Sequence, residues 1–327
     1  MKIKRQILDW LCLLVCAAQW ACSPQLISVG PSILEPHFDS DAFITADGTR
    51  LSLRTWTATE SPHAIFLALH GFNDYSNAFA NPGSYWSERG ILVYAYDQRG
   101  FGASEHAGLW PGVDILVEDL SQAVHVIERL HPSLPLYLIG ESMGGGIAMT
   151  AVARDQVRVH GIVLVAPAVW GRQTMNPFYP PALWLGAHSV PWIKFSGQGL
   201  GITPSDNTEM LIALGRDPLV IKKTRIDSMY GMVNLMDTAL AAGPSIRTPA
   251  LILYGARDEI IPKAATAKML NALSGPHRVV IYPKGYHMLL RDLNAEMVLT
   301  DIWTWINKPG SKLPSGNNEK WQTFFEN

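Results

Sequence analysis

The sequence predicts an α/β fold, a mostly parallel eight-stranded sheet flanked by helices with a helical cap inserted, from three observations. Short apolar runs rich in strand formers alternate with longer stretches of helical periodicity. Several of those runs end in glycine-bearing loops, and the alternation lapses once, over residues 167–243, before it resumes. Runs that are apolar throughout suit strands buried on both faces, which is the environment a parallel sheet provides.

The elements follow in order. Residues 42–46 and 50–57 flank Asp47-Gly48, a pair that accepts the geometry of a tight hairpin, and read as the first two strands. Residues 63–69 are almost continuously apolar and give the third. Residues 75–89 form a helix stopped by Gly90, and 91–96 a buried strand that ends at Asp97. Over 114–131 the residues Ile115, Leu116, Leu120, Val124, Ile127 and Leu130 recur at helical spacing. Pro132 and Pro135 end that helix before a strand over 134–139. A helix over 142–154 and a strand over 161–166 follow. Within the lapse, the runs 180–187, 208–214, 218–223 and 226–242 have amphipathic helical spacing, as a cap over a crevice requires. Strands resume at 248–254 and 278–282. The chain thus divides into a leader (1–22), a linker (23–41), a core (42–166 and 244–308), the cap (167–243) and a polar tail (309–327).

Composition bounds the chemistry. A chain of 327 residues at 48% hydrophobic content suffices for one large core plus an insertion. Its net charge of −2, with no basic run beyond Lys222-Lys223, excludes nucleic acid as a partner. The three cysteines, Cys12, Cys16 and Cys22, all lie in the first 22 residues, so the body has no thiol for catalysis, soft-metal binding or disulfides. With neither a spaced His/Cys ligand set nor a phosphate-cradling glycine loop, no cofactor and no metal are expected. Gly197-Gln198-Gly199-Leu200-Gly201 follows no strand and reads as a cap loop.

The chemistry is carried by Gly140-Glu141-Ser142-Met143-Gly144-Gly145, directly between a strand and a helix. A turn that tight excludes side chains at its flanks, hence the glycines, and it lifts the Ser142 hydroxyl off the sheet edge as a nucleophile. Asp258 lies just past the strand 248–254, in Gly255-Ala256-Arg257-Asp258. His287 occupies the matching loop after 278–282, in Gly285-Tyr286-His287. Groups just beyond the carboxyl ends of parallel strands meet in one crevice, so Ser142, Asp258 and His287 can converge. Asp237 and Asp227, from the cap, are rival sources of the carboxylate, although neither follows a strand. His277 precedes its strand and falls on the wrong edge.

With these residues in place, the chain from about residue 42 to 307 resembles the α/β-hydrolase superfamily, most closely its monoacylglycerol lipase, lysophospholipase and serine aminopeptidase branch. The motifs are His70-Gly71-Phe72, the segment Asp97-Gln98-Arg99-Gly100-Phe101-Gly102, the serine turn, and the Asp258 and His287 loops. The resemblance implies an acyl-transfer triad of Ser142, His287 and Asp258, with an oxyanion hole made by the backbone N–H groups of Phe72 and Met143. It implies a structural role for His70; Asp97 and Arg99 are read as holding loops, through nearby backbone and each other. The loop departs from the family's second glycine at Asn73, a residue that tolerates left-handed geometry.

The expected function is hydrolysis of carboxylic esters, a monoacylglycerol or lysophospholipid being favoured by the apolar cap residues Trp170, Phe178, Trp184 and Trp192, with a lipid or ester substrate and a membrane surface as partners. A short-chain esterase with a tighter pocket, a serine aminopeptidase of the same branch and a non-catalytic binding protein on the same fold are the alternatives. The leader carries Lys2, Lys4 and Arg5 before the mostly apolar 7–18, a pattern resembling an export signal to a bacterial cell envelope. Either Cys22 resembles the lipid-modified cysteine of a lipoprotein, or cleavage after Ala18 or Ala21 releases a soluble protein.

Overall fold

The computed structural model describes residues 23–197, 199, 201–316 and 321–326; the leader and Cys22 lie outside them. The elements are β1 (His37–Phe38), β2 (Ala42–Ile44), β3 (Arg50–Trp56), β4 (Ala64–Leu69), α1 (Ala80–Ser87), β5 (Ile91–Tyr96), α2 (Val113–Leu130), β6 (Leu136–Glu141), α3 (Met143–Ala153) and β7 (Gly161–Val165). Between β7 and β10 come α4 (Tyr179–Ser189), β8 (Lys194–Phe195), α5 (Thr208–Arg216), β9 (Thr224–Arg225) and α6 (Ile226–Ala242). The chain then returns through β10 (Ala250–Gly255), α7 (Lys263–Ala272), β11 (His277–Tyr282), α8 (Ala295–Asn307) and α9 (Trp321–Glu326).

Among the described residues the main sheet has nine strands in the order β1-β2-β3-β5-β4-β6-β7-β10-β11. The count exceeds the expected eight by the two-residue β1, too short to be legible as a strand. From β5 to β11 every pairing is parallel, and β1 to β3 attach antiparallel at one edge. Side chains alternate along each strand, so Ile65, Leu67 and Leu69 of β4 enter one core with α2, α3 and α6, while Ala64, Phe66 and Ala68 enter the other. Fully burying each large side chain contributes ~1.5–3 kcal/mol.

After β4 the chain moves to one side to make β5, and then to the other to make β6, so β4 marks a reversal of winding. At such a point the loops leaving neighbouring strands diverge and open a crevice at the carboxyl end of the sheet. Leu69 pairs with Gly140 at the tips of β4 and β6, which brings the His70 loop beside Ser142.

Two expected helices need correction, and the linker and tail can be described more closely. The run 218–223 is a turn, not a helix: Leu219 N donates to Asp217 Oδ1 at 2.9 Å and Lys222 Nζ bonds the carbonyls of Asp217 and Val220. The helix expected over 75–89 is split into a 3₁₀ turn, Ser76–Phe79, and α1. The linker 23–41 lies along the body, for Gln25 N bonds Asp227, Ile27 N bonds the Trp110 carbonyl and β1 joins the sheet. The tail includes α9, whose Phe324 and Phe325 rings pack at a tilt beside buried Tyr254.

Candidate active site

Ser142 is the residue before α3 and has φ 51° and ψ −111°, a region that costs energy for any residue with a Cβ. The turn is pinned from both sides: Ser142 N donates to the Val165 carbonyl at 2.9 Å, and Ser142 O accepts from Gly146 N and Ala168 N. A Cβ at Gly144 would collide with the Leu69 carbonyl, and one at Gly140 with the backbone of Gly144 and Gly145. These contacts supply the steric reason for the motif's glycines.

Asp258 and His287 come together because the loops after β10 and β11 are zipped to each other. Ala256 N donates to Tyr282 O and Arg257 N to Gly285 O, both at 2.9 Å. Gly255 admits the approach, since a Cβ there would strike the Tyr286 carbonyl. His287 Nδ1 lies 2.9 Å from Asp258 Oδ2, with both side chains buried. Asp258 Oδ1 accepts from Ile260 N at 2.8 Å and Ile261 N at 3.0 Å, which fixes the carboxylate plane. Burial opposes a charge on the imidazole. The Asp258 carboxylate, by charge and hydrogen bond, and Glu141 outweigh it and hold the His287 pKa above its ordinary value.

The rivals for the carboxylate are engaged elsewhere. Asp237 accepts from Arg172 N at 2.6 Å and pairs with the Arg172 guanidinium. Asp227 is held by Arg225, by Ser228 N and by Gln25 N.

The His70 loop packs against the serine, a Cβ at Gly71 standing 3.5 Å from Ser142 Cβ. His70 Nδ1 donates to Gly71 O at 2.8 Å and Nε2 accepts from Gln98 N at 2.9 Å, so both ring nitrogens hold backbone. Burial lowers its pKa and favours this neutral form. Asn73 adopts φ 67°, the left-handed geometry expected of it, and its Nδ2 donates to Thr224 Oγ1 in the insertion. Among the described residues the backbone N–H groups of Phe72 and Met143 have no acceptor, and both adjoin the serine turn. Phe72 stacks edge-on against Phe101 and Trp110, which form an apolar wall.

Asp97 and Arg99 do not bond each other. Asp97 accepts from Ser76 N and Ala103 N, whereas Arg99 clamps Asp119 of α2 and Asp47 of the hairpin.

The sequence reasoning missed a buried charge cluster beside the site. Arg291 Nη1 is 2.7 Å from Asp74 Oδ2 and Nη2 is 2.8 Å from Glu141 Oε2. A signal existed: Glu141 is a charge inside an otherwise apolar strand end, and Arg291 follows Leu289-Leu290 in the base loop. A cavity of about 260 Å³, edged by Asp74, Tyr75, Asn207, Asp217 and Arg291, opens next to this cluster. Tyr75 donates to Asp217 at 2.6 Å, and burial together with that carboxylate pushes its phenol up to about 12. No group of three or more His, Cys, Asp and Glu able to hold a metal ion occurs among the described residues.

Comparison with known proteins adds an independent line. A family model described as serine aminopeptidase, S33, matches residues 60–294. The monoacylglycerol lipase of Mycolicibacterium smegmatis is 25% identical over 278 residues, covering 81% of this chain and 95% of that protein. The Homo sapiens monoglyceride lipase is 27% identical over 280 residues, covering 84% and 92%. Among solved structures, a soluble variant of monoglyceride lipase from Saccharomyces cerevisiae in complex with a substrate analog matches with a TM-score of 0.70. At 19% identity over 87% of this chain and 97% of that one, it shows a shared α/β-hydrolase fold.

Proposed function

The chain belongs to the serine aminopeptidase S33 family of hydrolases, and from that membership we propose that it cleaves carboxylic esters through a Ser-His-Asp acyl-enzyme mechanism, on a monoacylglycerol- or lysophospholipid-like substrate. The observation that carries the reading is the 2.9 Å pairing of His287 with Asp258, in loops neighbouring a serine on a strained turn.

The chemistry follows. With Nδ1–H donating to Asp258, the other imidazole nitrogen, Nε2, is left to take the Ser142 proton as the serine oxygen attacks the substrate carbonyl. The N–H groups of Phe72 and Met143 receive the developing oxyanion; one such donor is typically worth ~10²–10³ in rate. His287 then returns the proton to the leaving alcohol, and water enters by the same route to release the acid.

An aminopeptidase needs a carboxylate available to the substrate's amine; Asp217, Asp227 and Asp237 are bonded to Tyr75, Arg225 and Arg172, which leaves Asp206 and Glu209 as the cap acids for that reading. Relatives that carry the name monoglyceride lipase support a lipid substrate, as does the exposure of Phe178, Trp184, Leu185, Trp192 and Phe195 on the insertion. That apolar face suits contact with a membrane surface. The reading includes export to the cell envelope, with Cys22 lipidated or the leader cleaved.

Turnover on a ladder of glyceryl esters, beside an amino-acyl anilide, tests the assignment. Medium or long acyl esters should be fastest, and Ser142→Ala should lose ~10⁶ in turnover. A peak at acetyl would leave a short-chain esterase, faster anilide cleavage an aminopeptidase, and an absence of fluorophosphonate labelling a binding protein.

A further inference from the structure

Arg291 lies in the loop that carries His287, and its two terminal nitrogens reach out of that loop in different directions. One meets Asp74 at 2.7 Å and the other Glu141 at 2.8 Å, with all three side chains more than nine-tenths buried. Asp74 shapes the end of the His70 loop, its N–H bonding Gly71 O at 3.2 Å and its Oδ1 accepting from Tyr75 N at 2.9 Å. Glu141 is bonded in sequence to Ser142. The base loop is itself closed by Arg291 N on Met288 O and by Asp292 Oδ2 accepting from Tyr286 N, both at 2.8 Å.

Stability alone does not account for the cluster. A buried ion triad is often no more stable than apolar residues of the same volume, and this one is incompletely bonded. Arg291 Nε, Glu141 Oε1 and Asp74 Oδ2 are buried without a hydrogen-bond partner among the described residues, so Arg291 meets Asp74 as an ion pair and Glu141 through a hydrogen bond. What the guanidinium supplies is reach in two directions, since its planar group faces one carboxylate with each terminal nitrogen, which the single ammonium of a lysine does not.

We propose that Arg291 is a positioning residue that sets the oxyanion loop, through Asp74, and the serine turn, through Glu141, in register with the loop of His287. The proposal rests on the reading of Ser142 and His287 as nucleophile and base. Arg291 touches neither substrate nor reacting atoms in this role.

The test compares Arg291→Lys, Arg291→Met and the neutral triple variant Asp74→Asn/Glu141→Gln/Arg291→Met with wild type. Fluorophosphonate labelling per folded molecule and kinetics on a soluble nitrophenyl ester are the readouts. Arg291→Lys should fold, label ~10–100-fold more slowly and lose kcat by the same factor, because a misplacement of about 1 Å costs that much. KM should stay within about twofold, the mark of an interaction felt in the transition state. The charged groups facing His287 are Asp258, Glu141 and Arg291, so Arg291→Met, by removing the cation among them, should move the acid limb of kcat/KM to higher pH. A role in stability alone would move neither labelling of the folded fraction nor the limb. Folded Arg291→Lys labelling at the wild-type rate overturns the proposal; if Arg291→Met does not fold, wild-type labelling by the triple variant does so equally. Wild-type protein that fails to label overturns the serine-nucleophile reading instead.

Discussion

Two arginines are buried between pairs of carboxylates in this molecule, and they differ in how completely they are bonded. Arg99 uses every guanidinium nitrogen: Nε and Nη2 on Asp119 at 2.9 and 2.8 Å, Nη1 on Asp47 at 2.9 Å and on Thr49 Oγ1 at 2.7 Å. Arg291 leaves Nε without an acceptor among the described residues, and Glu141 Oε1 and Asp74 Oδ2 without a hydrogen-bond donor. Arg99 joins the hairpin to α2, whereas Arg291 joins loops around Ser142. A saturated cluster is what a fold selects for its own sake, while a polar group left short by about 1–3 kcal/mol calls for another reason. The contrast separates architecture from a site.

The comparison is broken most severely if a carboxylate on the site side proves merely structural. Asp258→Asn should lower kcat by ~10⁴ while the folded state survives, because the imidazole loses its orienting charge and takes the wrong tautomer. Steady-state kinetics beside a thermal melt decide this; a large shift in melting with intact turnover would put Asp258 in the same class as Asp119.

The converse holds on the other side. Arg99→Met strands the buried Asp47 and Asp119 and should cost ~3–5 kcal/mol of stability, read by denaturant titration. Turnover per labelled serine should stay unchanged. A fall in turnover would mean that the hairpin cluster communicates with the crevice.

The smallest effect sharpens the electrostatic part. A base works only when unprotonated, so activity should appear as pH rises through the His287 pKa. That pKa is raised by Asp258 and Glu141 against the opposing effect of burial, so the acid limb of kcat/KM should lie above the ordinary histidine value of about 6.5. In Asp258→Asn the limb should fall. A pH–rate profile on a soluble ester measures both.

What was legible in the sequence divides along the same line. The strands β4 to β7, the Asp47-Gly48 hairpin and the loops of Ser142, Asp258 and His287 were readable because each is a local pattern: an apolar run, a turn pair, a glycine beside a polar residue. Of the Arg291 cluster the sequence shows single odd charges, Glu141 and Arg291 beside apolar residues, but not their pairing, since Asp74, Glu141 and Arg291 are distant along the chain and no periodicity links them. The same holds for Arg99, whose partners were misjudged because Asp97 was near in sequence while Asp119 and Asp47 were near in space. The turn at 218–223 misled for the opposite reason: its composition suits a helix, but the Asp217 side chain competes for the backbone and ends it. Helices α7 and α8 went unread, although Ala265, Met269 and Leu270 of α7 are buried against the core.

Ser142 holds a backbone geometry that folding stability opposes. At φ 51° a residue with a Cβ gives up ~1–3 kcal/mol that glycine would largely recover. Selection for heat tolerance alone would therefore erase this serine. A serine held in this backbone geometry is one that stability alone does not explain.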